Sequence, residues 1–481
     1  MGDQSRWKTL LSWLKDRHGM QVDSEHLLVE CRDAPGAGKG LFANCPIPPK
    51  ATLFTIPAAA LINARTLSKI YPQSQGRNLS PMQMVSLHLL LHKPSESEAS
   101  DDPTFGPFID TMPRTFDSHP LVWSVVHELG IQDQGHCQNL LCSLPSSTSS
   151  SLQDVKNGFW KDWSAVRDYV ISCSTRNKVS ACSAAHLERF HQEDLSLKMD
   201  YIWAWLSVNT RCIYYRLDPS PSSPLNMTLC PILDFANHAP QDTHILPVLP
   251  PVSQPSVPIA GPGKRSRSLG GDYTFVSNCE GFIPQDIELY LRYGAHPNRR
   301  LFVEYGFVNI WDEASIHEGR ANGEVDVSDI IEAYFKAEGS MGVQMKTTLK
   351  EQGYWGDWTL HSTPQPAHPS YRLITALRLL HCTQQEMQKE VQTWKDVLRG
   401  EKDVISETNE ALWRETLLAI CRQLSSRAAA NLETLGNRNY DSVTDLPEWY
   451  EWAVGNVRQL WLEELCVANC VADSITAGVD F

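Results

Sequence analysis

Between Leu27 and Ile62 glycine and proline cut the chain into short apolar runs, LLVEC, GLFA, TLFTIP and ALIN. The same texture returns only after residue 200, in PILDF, DYTFVS, IELYLRYG and LFVEYGF. Apolar runs of this length with Gly and Pro between them predict β-strands. Residues 80–200 read as helix instead, most clearly in PMQMVSLHLLLH and KDWSAVRDYVISC, with the polar SLPSSTSSS at 143–151 expected as a loop. The pattern constrains the fold to a β-rich domain that accommodates an α-helical insertion.

Both ends of the chain add helix. Trp7, Leu10, Leu11 and Leu14 recur at i, i+3, i+4 and i+7, so an amphipathic helix opens the protein. Beyond about residue 325 Trp413, Leu417, Ile420 and Leu424 keep a helical period, as do Tyr450, Val454, Val457 and Trp461, which predicts a separate helical domain with apolar stripes as its core. The division expected is 1–79 for the N-terminal helix and first strand block, 80–200 for the insertion, 201–310 for the second strand block and 325–481 for the helical domain. Residues 246–271, rich in Pro, Gly and Ser, read as a disordered surface loop whose Lys264, Arg265 and Arg267 are solvated charge. A chain of 481 residues is long enough for two or three cores.

Charge and cysteine usage narrow the class. The formal charge of -14 argues against nucleic-acid or anionic-membrane binding and suits a basic partner. The 13 cysteines form no Cys-x-x-Cys pair, so neither a zinc site nor a disulfide framework is predicted, and Cys466 and Cys470, four apart in a helical pattern, read as core thiols. No signal peptide, myristoylation pattern or membrane span is evident, and the expected location is cytoplasmic, nuclear or both.

Three motifs carry possible chemistry. PILDFANHAP places Asp234, Asn237 and His238 at the end of an apolar run and before Pro240. An Asp and a His four apart suggest a metal or acid/base pair, but Pro240 opposes a helix there, a strand would not present the two side chains as one face, and no third ligand stands at metal spacing. APGAGKGLFA supplies Gly36, Gly38 and Gly40 between strand-like runs, where glycine lets backbone approach a ligand or simply turn tightly. Its spacing departs from the dinucleotide fingerprint. YLRYGAHPNRRLFVEYGF holds two Tyr-Gly units, Tyr293-Gly294 and Tyr305-Gly306.

Taken together and in order, these motifs resemble the SET-domain methyltransferases, and most closely the split-SET class typified by the Rubisco large-subunit methyltransferases and the SET-domain-containing protein four group. The resemblance rests on the G-x-G turn, the helical insertion, WAWLSVNTRCIYY, the D-x-x-N-H-x-P turn, and R-Y-G followed by E-Y-G-F. It implies an α+β fold: a β-rich knotted SET domain with a helical insertion, then an all-α C-terminal substrate-binding domain. It also implies S-adenosylmethionine as methyl donor and a protein lysine as acceptor. By position, Gly38, Lys39 and Gly40 would cradle the donor, Arg211 would meet its carboxylate, and Asn237 and His238 would hold its amino and adenine ends. Tyr293 would be the catalytic tyrosine, with Tyr273, Tyr305 and Asp234 toward the acceptor. No metal is required by such chemistry. A protein histidine as acceptor, or a non-catalytic scaffold that binds a protein partner, are the alternatives.

Overall fold

The computed structural model describes residues 3–71, 78–95, 98–131, 134–174, 184–192, 194–248, 270–383, 387–437 and 446–481. Of the expected 246–271 loop, Leu246–Val248 belong to a strand, and Lys264, Arg265 and Arg267 lie outside the described residues. The fold is α+β, and the chain divides into two compact units. One comprises Met1–Phe116 and Asn157–Ala295, the other Asp117–Lys156 and His296–Phe481. Residues 117–156, within the stretch read as an insertion, thus group with the C-terminal part of the chain.

In the first unit, strands before the insertion pair with strands after it. β1 (Val29–Ala34) and β2 (Gly38–Ala43) form an antiparallel hairpin. β3 (Thr52–Ile56) pairs with a later strand, β8 (Tyr273–Ser277), with Ile56 opposite Tyr273. β4 (Ile62–Asn63) pairs with β6 (Met227–Leu229), with Ile62 opposite Leu229. β5 (Ile213–Tyr214) completes the order β4-β6-β5, and β7 (Ile245–Val248) the order β3-β8-β7. Short strands of two to six residues cannot form a core from one block alone, and pairing across the insertion unites both blocks.

Helices begin where the sequence supplies caps. Ser80 and Gln83 form a reciprocal capping box in front of the helix Pro81–Leu91, and Asp194 caps Leu195–Arg211 through the Ser196 N–H. Asp162 joins these helices, accepting from Gln83 Nε2 at 2.8 Å and Trp205 Nε1 at 3.0 Å. That joint fixes the direction in which Leu195–Arg211 delivers Arg211 at its last turn. The opening helix Asp3–His18 forms as expected, buries Leu10 and Leu14, and lays Trp7 edge-on against Phe235 at 5.5 Å.

The second unit is mainly helical. Trp413, Leu417, Ile420 and Leu424 are fully buried on the helix Glu407–Gly436, and Tyr450, Val454, Val457 and Trp461 are buried on Glu448–Thr476. Cys466 and Cys470 are buried on the latter. A small antiparallel sheet accompanies these helices: β9 (Glu324–Asp326), β10 (Thr359–His361) and β11 (His368–Pro369), in the order β11-β10-β9. No helix of the described residues is long and apolar enough to cross a membrane.

Three local expectations are corrected. SLPSSTSSS is not a loop throughout, because the helix Ser146–Ser174 already begins within it. LFVEYGF is not a strand: Asn298–Tyr305 is a helix, entered after Pro297 and closed by Gly306 at φ 84°. Pro before the first turn and a left-handed Gly after the last are helix punctuation, and here they prevail over a short apolar run. PILDF is not a strand either, for the reason that follows.

Candidate active site

Ile232, fully buried, adopts φ 66° and ψ -57°. With the bond from Leu233 N–H to Pro231 O at 2.8 Å, this is a three-residue turn of the strained hand. A β-branched residue held there costs on the order of 1–3 kcal/mol and persists only where its surroundings over-determine it. A single 3-10 turn, Leu233–Phe235, follows at once. The chain is thereby bent away from strand geometry, and Ala236, Asn237 and His238 emerge beside two other segments.

Asn237 is the tie among them. Its Nδ2 donates to Lys39 O at 2.9 Å and to Glu288 Oε1 at 2.7 Å. Its carbonyl accepts from Leu291 N–H at 2.8 Å, and Ala239 N–H donates to Leu291 O at 3.2 Å, so His238 and Leu291 form a parallel bridge. Residues 287–292, expected as a strand, make such bridges without becoming a regular strand. Tyr293 is fixed at two points. Its N–H donates to His238 Nδ1 at 3.2 Å, and its hydroxyl donates to Ala236 O at 2.9 Å, with the two rings 5.2 Å apart. Because Nδ1 accepts, the neutral His238 carries its proton on Nε2 and presents a donor there.

The glycine turn faces the same place. Gly36 and Gly38 have φ 76° and 78°, which the reversal between β1 and β2 requires. Gly40 is needed for space: a Cβ there would stand 2.5 Å from Glu288 Oε1. Lys39 forms an ion pair with Asp33 across the hairpin while its carbonyl serves Asn237. Glu288, which also accepts from Tyr290 OH at 2.8 Å, was not among the residues singled out from the sequence. The available signal was the alternation Glu288, Tyr290 on an extended segment, which puts both side chains on one face.

Arg211 and Asp234, expected on the donor's carboxylate and on the acceptor side, hold each other. Arg211 Nη1 donates to Asp234 Oδ2 at 2.9 Å and to its carbonyl at 3.2 Å. The carboxylate is 1% exposed, and burial pushes its pKa above the usual value although Arg211 opposes the shift. Burial, with Asp234 adding to it, also raises the Cys212 and Cys230 thiols. Two buried polar atoms of this pair, Arg211 Nε and Asp234 Oδ1, have no hydrogen-bond partner among the described residues.

The remaining two tyrosines have other partners. Tyr273 is buried on β8, stacks near Tyr215 and Phe275, and donates its hydroxyl to Tyr214 O at 2.7 Å. Burial raises its pKa. Tyr305 belongs to the second unit, half-buried near His296 and Phe307 at the end of Asn298–Tyr305. The adjoining Gly306 packs against His119, whose ring would lie 2.8 Å from a Cβ. A shallow cavity of about 280 Å³ in the first unit, bordered by Met82, Asn209, Cys212, Tyr214 and Asn226 among others, includes none of the expected site residues.

The chain is similar to several known proteins. Residues 340–465 match the Rubisco LSMT substrate-binding family. Human SET domain-containing protein 4 is 23% identical over 479 residues, 98% of this chain and 92% of that protein. Ribosomal lysine N-methyltransferase 2 of Saccharomyces cerevisiae is 28% identical over 312 residues, 62% of this chain and 58% of that protein. The structure of Rubisco LSMT bound to sinefungin and monomethyllysine shares the fold with a TM-score of 0.55 at 14% identity, over 98% of this chain and 92% of that one. The chain thus carries a match to the Rubisco LSMT substrate-binding family and is similar along nearly its whole length to SET-domain proteins, whose fold it shares.

Proposed function

We propose that this protein transfers a methyl group from S-adenosylmethionine to the ε-amine of lysine in a basic protein substrate. The single observation that carries the reading is the double anchoring of Tyr293 on the Asn237-His238 turn, which in turn is tied to the glycine hairpin through Lys39 O. Lysine as the acceptor is supported by relatives that are ribosomal lysine N-methyltransferases and by a structural neighbour bound to monomethyllysine.

The residues fit such a donor. Arg211 Nε and Asp234 Oδ1 are buried polar atoms without hydrogen-bond partners among the described residues, a cost of about 1–3 kcal/mol each that a polar ligand would relieve. At Gly38 the position of a Cβ is open, so the backbone there can be approached closely. We assign Gly38, Lys39, Gly40, Asn237 and His238 to donor binding, with Arg211 shared between the donor and Asp234. Bound there, the donor would supply a methyl group on a sulfonium for in-line displacement.

The chain's own work is orientation and exclusion of water. Free lysine has a pKa near ~10.4, so its ammonium must lose a proton before the amine can attack. Tyr293, with its proton committed to Ala236 O, offers oxygen lone pairs that accept from an amine N–H and align the nitrogen lone pair. His238 holds the Tyr293 backbone, and Asp234 keeps Arg211 in place. Tyr273, whose hydroxyl donates to Tyr214 O, and Tyr305 are assigned to the acceptor side by their motifs alone.

The helical second unit, which contains the substrate-binding match, is the place for a protein partner. A net charge of -14 favours a basic one and disfavours nucleic acid. Free thiols at the described cysteines suit a reducing cytoplasm or nucleus. The test is incubation with methyl-labelled donor and a ribosomal-protein fraction, with mass spectrometry of the labelled band. Label on a lysine ε-amine is expected. Label on histidine would replace the acceptor, and donor binding without any labelled protein would support a scaffold.

A further inference from the structure

Away from the methyl-transfer site, the helix Pro81–Leu91 ends in HLLLH, with His88 buried in its last turn and His92 as its cap. The two rings lie 4.9 Å apart, and both turn Nε2 toward one oxygen. That oxygen is Asp102 Oδ2, 2.8 Å from His88 Nε2 and 3.6 Å from His92 Nε2. The three ligand-type atoms lie within 4.8 Å of one another.

Each of these groups is oriented from behind. His88 Nδ1 meets Tyr71 OH at 3.1 Å, and His92 Nδ1 meets Asp101 Oδ1 at 2.7 Å. Asp102 Oδ1 accepts the N–H groups of Thr104 and Phe105, both at 2.6 Å, which leaves Oδ2 to the imidazoles. Outer partners on the far ring nitrogens are what fix metal-ligating histidines.

A buried ion pair is the simpler account of His88 and Asp102, and one detail counts against it. Although the two atoms are 2.8 Å apart, His88 Nε2, fully buried, makes no aligned hydrogen bond with any of the described residues. A nitrogen and an oxygen with an atom between them need not be aligned with each other. For bonds of about 2.05 Å, separations of 2.8 and 3.6 Å subtend roughly 86° and 123° at a common centre, either side of the tetrahedral angle. His92 is 12% exposed, so the centre is reachable from solvent on one side.

We propose that His88, His92 and Asp102 form a divalent transition-metal site, for zinc first, with a water completing a tetrahedron on the His92 side. Two imidazoles and a carboxylate are ligands suited to zinc, whereas a hard ion such as magnesium or calcium would take oxygens. A bound ion would pin the end of Pro81–Leu91 to the loop that leads into the helix Gly106–Ile109.

This site is independent of the methyl-transfer reading, and its test uses metal binding in the full-length protein. Metal-free protein prepared by chelation is titrated with zinc and, separately, with cobalt, while thermal stability is followed. One equivalent of zinc, a rise in melting temperature, and a visible cobalt band of tetrahedral intensity are expected. His92→Ala, which removes a partly exposed ligand, should abolish the equivalent. Asp101→Ala, at a carboxylate 78% exposed, should weaken affinity about 10- to 100-fold without harming the fold. His317→Ala, altering the separate cluster of Glu313, His317 and Cys466, should change nothing. Absence of stoichiometric zinc in the wild type would overturn the proposal, as would zinc retained in His92→Ala or lost in His317→Ala.

Discussion

Two carboxylates buried from solvent, one in each compact unit, are held in different ways. Asp234 in the first unit faces the guanidinium of Arg211, which opposes the upward push of burial on its pKa. Glu463 in the second unit has, among the described residues, neutral donors: Asn298 Nδ2 at 2.8 Å and the Glu324 N–H at 2.9 Å. Burial pushes Glu463 up to about 7, and the Glu324 carboxyl nearby adds to the shift. A cationic partner favours the ionised form of a buried acid, whereas amide donors satisfy its oxygens without supplying the opposite charge. The first arrangement leaves two polar atoms of the pair without a hydrogen-bond partner among the described residues, and the second uses both carboxylate oxygens to join Asn298 and β9 to the helix Glu448–Thr476.

The contrast is broken most severely by Arg211→Ala. It strands the more deeply buried charge of the pair and should destabilise the first unit by about 4–5 kcal/mol near pH 7, read from denaturant unfolding. Acid should relieve the defect, because Asp234 can then take up a proton. Asp234→Ala should cost less, about 3 kcal/mol, since Arg211 is 23% exposed and keeps access to water. Equal losses in the two variants would deny that the burial of the surviving group matters.

Next in size is a pH effect at Glu463. Its folded pKa of about 7 lies above the ordinary glutamate value, so between the two the folded state holds a proton that the unfolded state has released. The stabilisation is complete below the unfolded pKa and is lost as pH rises through about 7, amounting to roughly 3 kcal/mol. Unfolding of the second unit at pH 5 and pH 8 should show that decline, and Glu463→Gln should flatten it. A slope unchanged in the variant would place the titrating group elsewhere.

Gly40→Ala is expected to be milder, about 1–2 kcal/mol by overpacking. The new Cβ would press on Glu288 Oε1, and the carboxylate could yield only by loosening its bond from Asn237. Weaker donor binding should accompany the loss of stability. Normal affinity in the folded variant would mean that the Glu288–Asn237 link is not part of the binding surface.

Much of this architecture was legible from punctuation. Gly and Pro marked β1 to β4, and helical periods marked the stripes through Trp413 and Trp461. The errors fell on short apolar runs, which suit several conformations until their flanks are weighed. Pro297 and Gly306 enclose LFVEYGF as a helix, and a left-handed Ile232, disfavoured for its residue type, turns PILDF away from a strand.

At the site, motif spacing pointed to Asn237, His238, Tyr293 and the glycine turn, which do lie together. The Arg211–Asp234 pair and the place of Glu288 were not legible, because each depends on which segments the fold brings together from far apart in sequence. Tyr273, assigned to a channel by its motif, is buried against Tyr215 and Phe275 and bonded to Tyr214 O, surroundings that its motif did not reveal.

The central claim is that Tyr293, held by Ala236 and His238, orients an acceptor amine without being needed to bind the donor. Tyr293→Phe removes one hydroxyl and keeps the ring and the backbone bond to His238. Donor affinity by calorimetry and methyl transfer by labelling should be measured on the same preparation. The account predicts near-normal affinity with transfer reduced at least about 100-fold, the scale of losing one positioned group at a reacting centre. Near-normal transfer, or loss of donor binding in a folded variant, would contradict it.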